Sequence, residues 1–186
     1  MLILASLSPR RKELLKRIAA DFKIVGAACD EYAAGDCFYR ELPFRNAELK
    51  ANAVAEQFPA SLVIGADTVI EFKRRIIGKP ADKQDALNIL LELSGQQHKV
   101  ITAVAPVCVR RHLKIVYSEE TIVRFKPFSR AVAETYLQLV DVLDKAGAYA
   151  VQEHSELIVE SLDGDLDNVV GLPLGKLQAL LPRYNS

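Results

Sequence analysis

Leu2-Ile3-Leu4-Ala5-Ser6-Leu7-Ser8-Pro9-Arg10-Arg11-Lys12-Glu13-Leu14-Leu15 opens the chain, and the order of residue types in it sets the fold class. Leu2 to Ala5 is apolar without polar alternation, the pattern of a short strand buried on both faces. Ser8 stands where a helix N-cap belongs and Pro9 at the first helical position, where its missing N–H costs nothing. Leu14, Leu15 and Ile18 then supply an apolar stripe at helical spacing. The opening therefore reads strand, loop, helix.

Further along, Phe22 to Val25 reads as a second strand, followed by an irregular segment through Asp30, Glu31 and Gly35. A helix is expected from about Pro43 to Gln57, with Ala47, Ala51, Val54 and Ala55 on one face. Leu62 to Ala66 is an apolar strand leading into Asp67-Thr68, and Arg74-Arg75 marks a hairpin turn before Gly78-Lys79-Pro80. Asp82 to Leu93 is the clearest helix, capped by Asp82 and ended by Gly95. Strands are expected near Val100 to Val109, Thr121 to Phe125, Ala148 to Gln152 and Leu157 to Leu162, with a turn at Asp163-Gly164. Ser129 to Val140 and Leu174 to Leu181 complete the helices. Helices and strands that alternate irregularly, some strands linked by hairpins, predict an α/β protein with a mixed sheet. Nothing marks a linker or a repeat, so residues 1–186 form a single unit of two lobes at most.

The chain has 186 residues, of which 24 are basic and 24 acidic, for a formal net charge of 0. That balance provides no global field for nucleic acid or an anionic membrane, so any anion site must be local. No stretch approaches the ~20 apolar residues that span a bilayer. Met1 to Ala5 lacks the basic flank of a signal peptide. Cys29, Cys37 and Cys108 fit no metal or redox spacing, as expected of reduced thiols in a cytoplasmic protein. His98, His112 and His154 show no metal-type spacing either and read as structural or surface residues.

Four segments carry chemistry, each with an alternative. Ser6 to Arg11 puts serine hydroxyls and two guanidinium groups at a helix start, where the dipole already favours anions. This is either a phosphate grip or a solvated basic turn. Asp67, placed just past an apolar strand, is either a metal- or water-binding carboxylate at the end of a sheet or an Asx-turn residue. Lys79, between Gly78 and Pro80, either meets a phosphate as a point charge or is simply solvated; the spacing is not that of a Walker A loop. Gln152 either offers its amide to a base edge or is a surface residue. Glu31 and Lys50 add a second carboxylate and a further cation.

Taken in order, these segments resemble the Maf family of nucleotide pyrophosphatases across nearly the whole chain. The resemblance rests on Ala5-Ser6-Leu7-Ser8-Pro9-Arg10-Arg11, Asp30-Glu31, Lys50-Ala51 and Gly65-Ala66-Asp67-Thr68. It continues through Gly78-Lys79-Pro80, Leu93-Ser94-Gly95 with His98, Asp144-Lys145-Ala146-Gly147 through Gln152, and Val170-Gly171-Leu172-Pro173-Leu174. It implies a two-lobed α/β fold of the inosine triphosphate pyrophosphatase-like (Maf/Ham1) type with a central active-site cleft. It also implies hydrolysis of a nucleoside triphosphate to monophosphate and pyrophosphate with a divalent cation (Mg²⁺, Mn²⁺ or Co²⁺), in a cytoplasmic, house-cleaning homodimer.

By the same resemblance Asp67 is the proton acceptor; carboxylate chemistry adds Glu31 and Asp67 as expected metal ligands. Ser6, Ser8, Arg11, Lys50 and Lys79 face the phosphates, and Arg10, Thr68 and Gln152 choose the base. Arg-Thr-Gln at those positions is the set of the subgroup acting on dTTP and UTP. The alternatives are 7-methyl-GTP as substrate, a modified pyrimidine triphosphate, or a non-catalytic role in septum formation. A nucleic-acid-binding module is disfavoured by the charge balance and by the lack of an aromatic stacking platform. Two positions depart from the family pattern: Glu153, where glycine is usual, and Asn46, at a usually apolar helix position.

Overall fold

The fold is taken from a computed structural model that describes residues 1–185, with side chains described through Pro182. Among the described residues, eight strands form one mixed sheet in the order β2-β1-β3-β5-β7-β8, with β4 paired to β3 and β6 to β5. The strands are β1 (Leu2–Leu4), β2 (Lys23–Ile24), β3 (Leu62–Phe72), β4 (Arg75–Ile77), β5 (Gln97–Cys108), β6 (Leu113–Lys114), β7 (Tyr117–Phe125) and β8 (Val159–Asp163). The helices are α1 (Pro9–Lys16), α2 (Leu42–Ala55), α3 (Lys83–Leu93), α4 (Arg130–Leu139), α5 (Leu166–Val170) and α6 (Leu174–Asn185). β1 pairs in parallel with β2 and β3, whereas β3–β4, β5–β6 and β7–β8 are antiparallel. Among the described residues no helix is long and apolar enough to cross a membrane.

The chain divides into two compact units. Unit 1 comprises residues 1–68, 102–119 and 171–186; unit 2 comprises residues 69–101 and 120–170. The chain passes from one to the other within β3, β5 and β7 and just after α5.

Small residues govern unit 1. Ala47, Ala51, Val54 and Ala55 of α2 pack on Ile3, Ala5, Val63, Ala103, Ala105 and Val107 of the sheet. Gly65 makes this approach as close as it is, because a Cβ there would lie 2.2 Å from the Ala47 carbonyl oxygen and 2.7 Å from the Ala51 nitrogen. The helix backbone thus rests directly on β3, and Lys50, one position before Ala51, comes down beside Asp67.

Larger side chains fill unit 2. Leu87, Leu90 and Leu93 of α3 pack with Phe72, Phe125, Tyr136, Tyr149 and Ile158. Asp82 caps α3, its carboxylate accepting from the Asp85 N–H at 2.8 Å. His98 lies inside, its Nε2 sharing a 2.9 Å hydrogen bond with the Tyr149 hydroxyl and its ring edge-on to Phe125. Burial alone lowers its pKa to about 4. The structural reading of His98 holds, and His112 and His154 are exposed at turns with left-handed backbone.

Two expectations fail. Asp67 does not lie past the end of its strand, because β3 runs on to Phe72. Its flanks are paired on both sides: Leu62–Ile64 lie beside Leu2–Leu4, and Ile70–Phe72 beside Arg75–Ile77. The pairing with β1 stops at Ile64 and the pairing with β4 starts at Ile70, so Asp67 lies between the two. Ala148 to Gln152, in turn, is not a strand. Residues 146–148 form a 3-10 turn, and Ala148 has φ 59°. Tyr136 supplies what a neighbouring strand would have supplied, its hydroxyl donating to the Ala150 carbonyl (3.1 Å) and accepting from the Ala150 N–H (2.9 Å). Burial raises the Tyr136 pKa to about 12, so this hydroxyl keeps its proton. The short elements β6 and α5 carry no sequence signal strong enough to have been expected.

Candidate active site

The N-terminus of α1 is built as the sequence suggests. The Ser8 side chain caps the helix by accepting from the Arg11 N–H, and the Ser8 N–H is turned toward Ser6 Oγ at 3.3 Å. Arg11 is half-buried and held on several sides. Its Nε donates to the Gly171 carbonyl at 2.8 Å, Nη2 to Thr68 Oγ1 at 3.0 Å and Nη1 to Ser6 Oγ at 3.4 Å. Burial lowers the guanidinium pKa; Asp67 opposes the shift, Arg10 adds to it and Glu31 opposes it. The planar fork is therefore oriented before any ligand arrives, which reduces the entropy cost of binding an anion.

Thr68 forms the link behind Arg11. Its hydroxyl also meets Thr102 Oγ1 at 2.9 Å, and Thr102 is fully buried on β5. Gly171 has φ +122°, and a Cβ there would stand 3.3 Å from Thr68 Oγ1 and 3.4 Å from Arg11 Nε. Glycine is what lets this carbonyl reach the guanidinium.

The adjacent residue serves a second cluster. Side chains alternate along a strand, so Asp67 shares its face with Gly65, against α2. Lys50 Nζ donates to Asp67 Oδ1 at 2.8 Å and lies 2.7 Å from Glu31 Oε2. Lys50 and Asp67 are nearly buried, with side-chain exposures of 11% and 12%, whereas Glu31 is half-exposed at 51%. One ammonium thus sits between two carboxylates from different segments, and its nearly buried pair with Asp67 is the one costly to break. The Asp30–Ala33 segment carrying Glu31 has no regular secondary structure. Asn46 holds it, accepting from the Tyr32 N–H at 2.9 Å and donating to the Tyr32 carbonyl at 3.1 Å.

Among the described residues no three or more His, Cys, Asp or Glu side chains gather as a metal cage. Glu31 and Asp67 nevertheless suit Mg²⁺, which binds through one or two carboxylates and completes its shell with water and phosphate oxygens. The two already converge on one cation, the Lys50 ammonium.

Ser6, Ser8, Arg10, Arg11, Glu31, Lys50, Asp67 and Thr68 all belong to unit 1. Lys79 and Gln152 belong to unit 2, where both are exposed. Their segments are braced rather than loose. The Gly147 N–H donates to the Gly78 carbonyl at 3.0 Å, joining the Asp144–Gly147 turn to Gly78-Lys79-Pro80. A Cβ at Gly147, φ +74°, would lie 2.2 Å from Ile70 Cδ1. Sequence reasoning missed Asn46, Thr102 and Gly171 as site residues. Gly171 carried a usable signal, since a glycine inside an apolar motif often marks a close backbone approach; a buried threonine carries none.

A family model described as Maf-like protein matches residues 1–184 of this chain. The chain is 42% identical to a Symbiobacterium thermophilum protein named dTTP/UTP pyrophosphatase, over 98% of this chain and 93% of that protein. It is 43% identical to a protein of the same name from Akkermansia muciniphila, over 92% and 90% respectively. A solved structure of the Staphylococcus aureus Ham1 protein covers 98% of both chains at a TM-score of 0.57 and 16% identity, a likeness of fold alone.

Proposed function

The chain belongs to the Maf family, and on that premise we propose that it hydrolyses nucleoside triphosphates, dTTP and UTP foremost, to the monophosphate and pyrophosphate. The observation that carries the reading is the adjacent pair Asp67-Thr68, one residue bound to Lys50 beside Glu31 and the other to Arg11. Together they bring a carboxylate and an oriented guanidinium to one short stretch of strand. The names of the two relatives favour dTTP and UTP over 7-methyl-GTP.

Water attacks the α-phosphorus. The new O–P bond forms as the bond from the α-phosphorus to the bridging oxygen breaks, and pyrophosphate leaves. The Asp67 carboxylate, oriented by the Lys50 ammonium at Oδ1, receives the proton of the attacking water. Arg11, with Ser6 and Ser8, holds the phosphate chain at the start of α1, where the helix dipole favours negative charge. Lys50 and Lys79 add positive charge against that building on the departing phosphates. Glu31 and Asp67 would hold the divalent cation, which when bound supplies Lewis-acid polarisation of phosphoryl oxygens.

Arg10 and Gln152 act on base selection, Gln152 because one amide matches the O4 and N3–H edge of a pyrimidine. Thr68, whose hydroxyl is bound to Arg11 and Thr102, completes the selecting set that the resemblance implies. Lys79 and Gln152 enter on the resemblance alone. The resemblance also implies a cytoplasmic homodimer, which sedimentation of the purified chain tests.

The test is pyrophosphate release across canonical and modified triphosphates with Mg²⁺, Mn²⁺ and Co²⁺. Preferred turnover of dTTP and UTP is expected. Preference for 7-methyl-GTP, or release of inorganic phosphate instead of pyrophosphate, would refute the proposal.

A further inference from the structure

Asn46 is a buried asparagine in the interior of α2, with 4% of its surface exposed. Asparagine is a poor residue for a helix interior, and burying its amide is unfavourable unless both ends find partners. Here both ends meet the same residue, taking the N–H and the C=O of Tyr32. The amide thereby imitates the paired exchange that a neighbouring strand would make, on a segment with no regular secondary structure.

Tyr32 directly follows Glu31. Asn46 and Lys50 are four residues apart on α2, so they share a face one turn apart. That face grips consecutive residues of the loop: Asn46 takes the main chain of Tyr32 and Lys50 the carboxylate of Glu31. We propose that Asn46 is a positioning residue for the hydrolytic reaction, its amide fixing the main chain at Tyr32 so that the Glu31 carboxylate is delivered to the Lys50–Asp67 pair. The inference rests on the proposed role of Glu31.

A merely structural clip would affect stability and leave turnover of the folded protein unchanged. Asn46→Leu separates the two cases. It removes both hydrogen bonds and keeps the site filled with a better helix former, while the Tyr32 N–H and C=O, only part-buried, can turn to water. The expected variant melts close to the wild type, shows faster amide hydrogen exchange at Tyr32 without nucleotide or metal, and turns over dTTP about tenfold more slowly at saturating substrate.

The deciding experiment is a cycle of Asn46→Leu, Glu31→Gln and the double variant, each assayed for kcat with dTTP and Mg²⁺. If Asn46 acts through Glu31, the double variant has the kcat of Glu31→Gln alone. A loss in Glu31→Gln combined with an unchanged Asn46→Leu, or with losses that multiply in the double variant, overturns the role of Asn46 alone. Full turnover by Glu31→Gln overturns the role of Glu31 and, with it, that of Asn46.

Discussion

The two units hold their candidate residues in opposite ways. In unit 1, Arg11, Lys50, Asp67 and Thr68 are each fixed by named protein partners and are buried or half-buried. In unit 2 the backbone is braced, at Gly147–Gly78 and at Tyr136–Ala150, while the side chains of Lys79 and Gln152 are exposed. A group that must meet a transition state gains from being oriented beforehand, because no reorganisation is then needed during reaction. A group that selects among similar bases can stay adaptable provided the chain carrying it is rigid. The contrast is one of preorganisation: the proposed proton acceptor and its cations are held beforehand in the first unit, whereas Lys79 and Gln152 of the second are exposed on a braced backbone.

The largest expected effect breaks the chemical side. Asp67→Asn keeps the shape and removes the base, and should lower kcat about 10²- to 10⁴-fold by the usual scale of general base catalysis. Pyrophosphate release with saturating Mg²⁺ checks it, and near-full turnover would place the base elsewhere. Next comes the fork. Arg11→Lys replaces the bonds to Gly171, Thr68 and Ser6 by one mobile charge, and should lower kcat/KM about 100-fold. Lys79→Ala, removing an exposed charge from unit 2, should cost clearly less and act mainly through KM; a comparable loss in the two variants would dissolve the contrast.

The third effect concerns the stability of unit 2. The His98 pKa is depressed to about 4 in the folded state from an ordinary value of 6.5, so the unfolded chain takes up the proton first as pH falls. The stability associated with a neutral His98 is thus complete above about pH 6.5 and is lost progressively down to about pH 4. By linkage the loss between pH 7 and pH 5 is about 2 kcal/mol. Urea unfolding at the two pH values should show it, and His98→Gln should flatten the difference. The smallest effect is Gln152→Glu, which should shift the preference among bases about tenfold in kcat/KM ratio while kcat for the best substrate changes little.

Much of this was legible beforehand where the determinant is local. Ser8 as a cap and Pro9 after it signal a helix start within a few residues, and the structure bears this out. The cap and stripe of α3 are equally local. Legibility ends where a distant partner decides. Ala148-Tyr149-Ala150-Val151 has the composition of a strand, yet its backbone is claimed by the hydroxyl of Tyr136 on another element. By sequence Asp67 ends a strand, because a carboxylate in a buried strand is expensive; Lys50, seventeen positions earlier, offsets that cost. Arg11 is held by a carbonyl 160 residues away, beyond the reach of any local pattern.

The proposed reaction has water, activated at Asp67, attack the α-phosphorus. Hydrolysis of dTTP in ¹⁸O-labelled water, followed by mass analysis of both products, tests it most directly. Attack on the α-phosphorus puts the label in the monophosphate and none in pyrophosphate, whereas label in pyrophosphate means attack on the β-phosphorus and rules this reaction out.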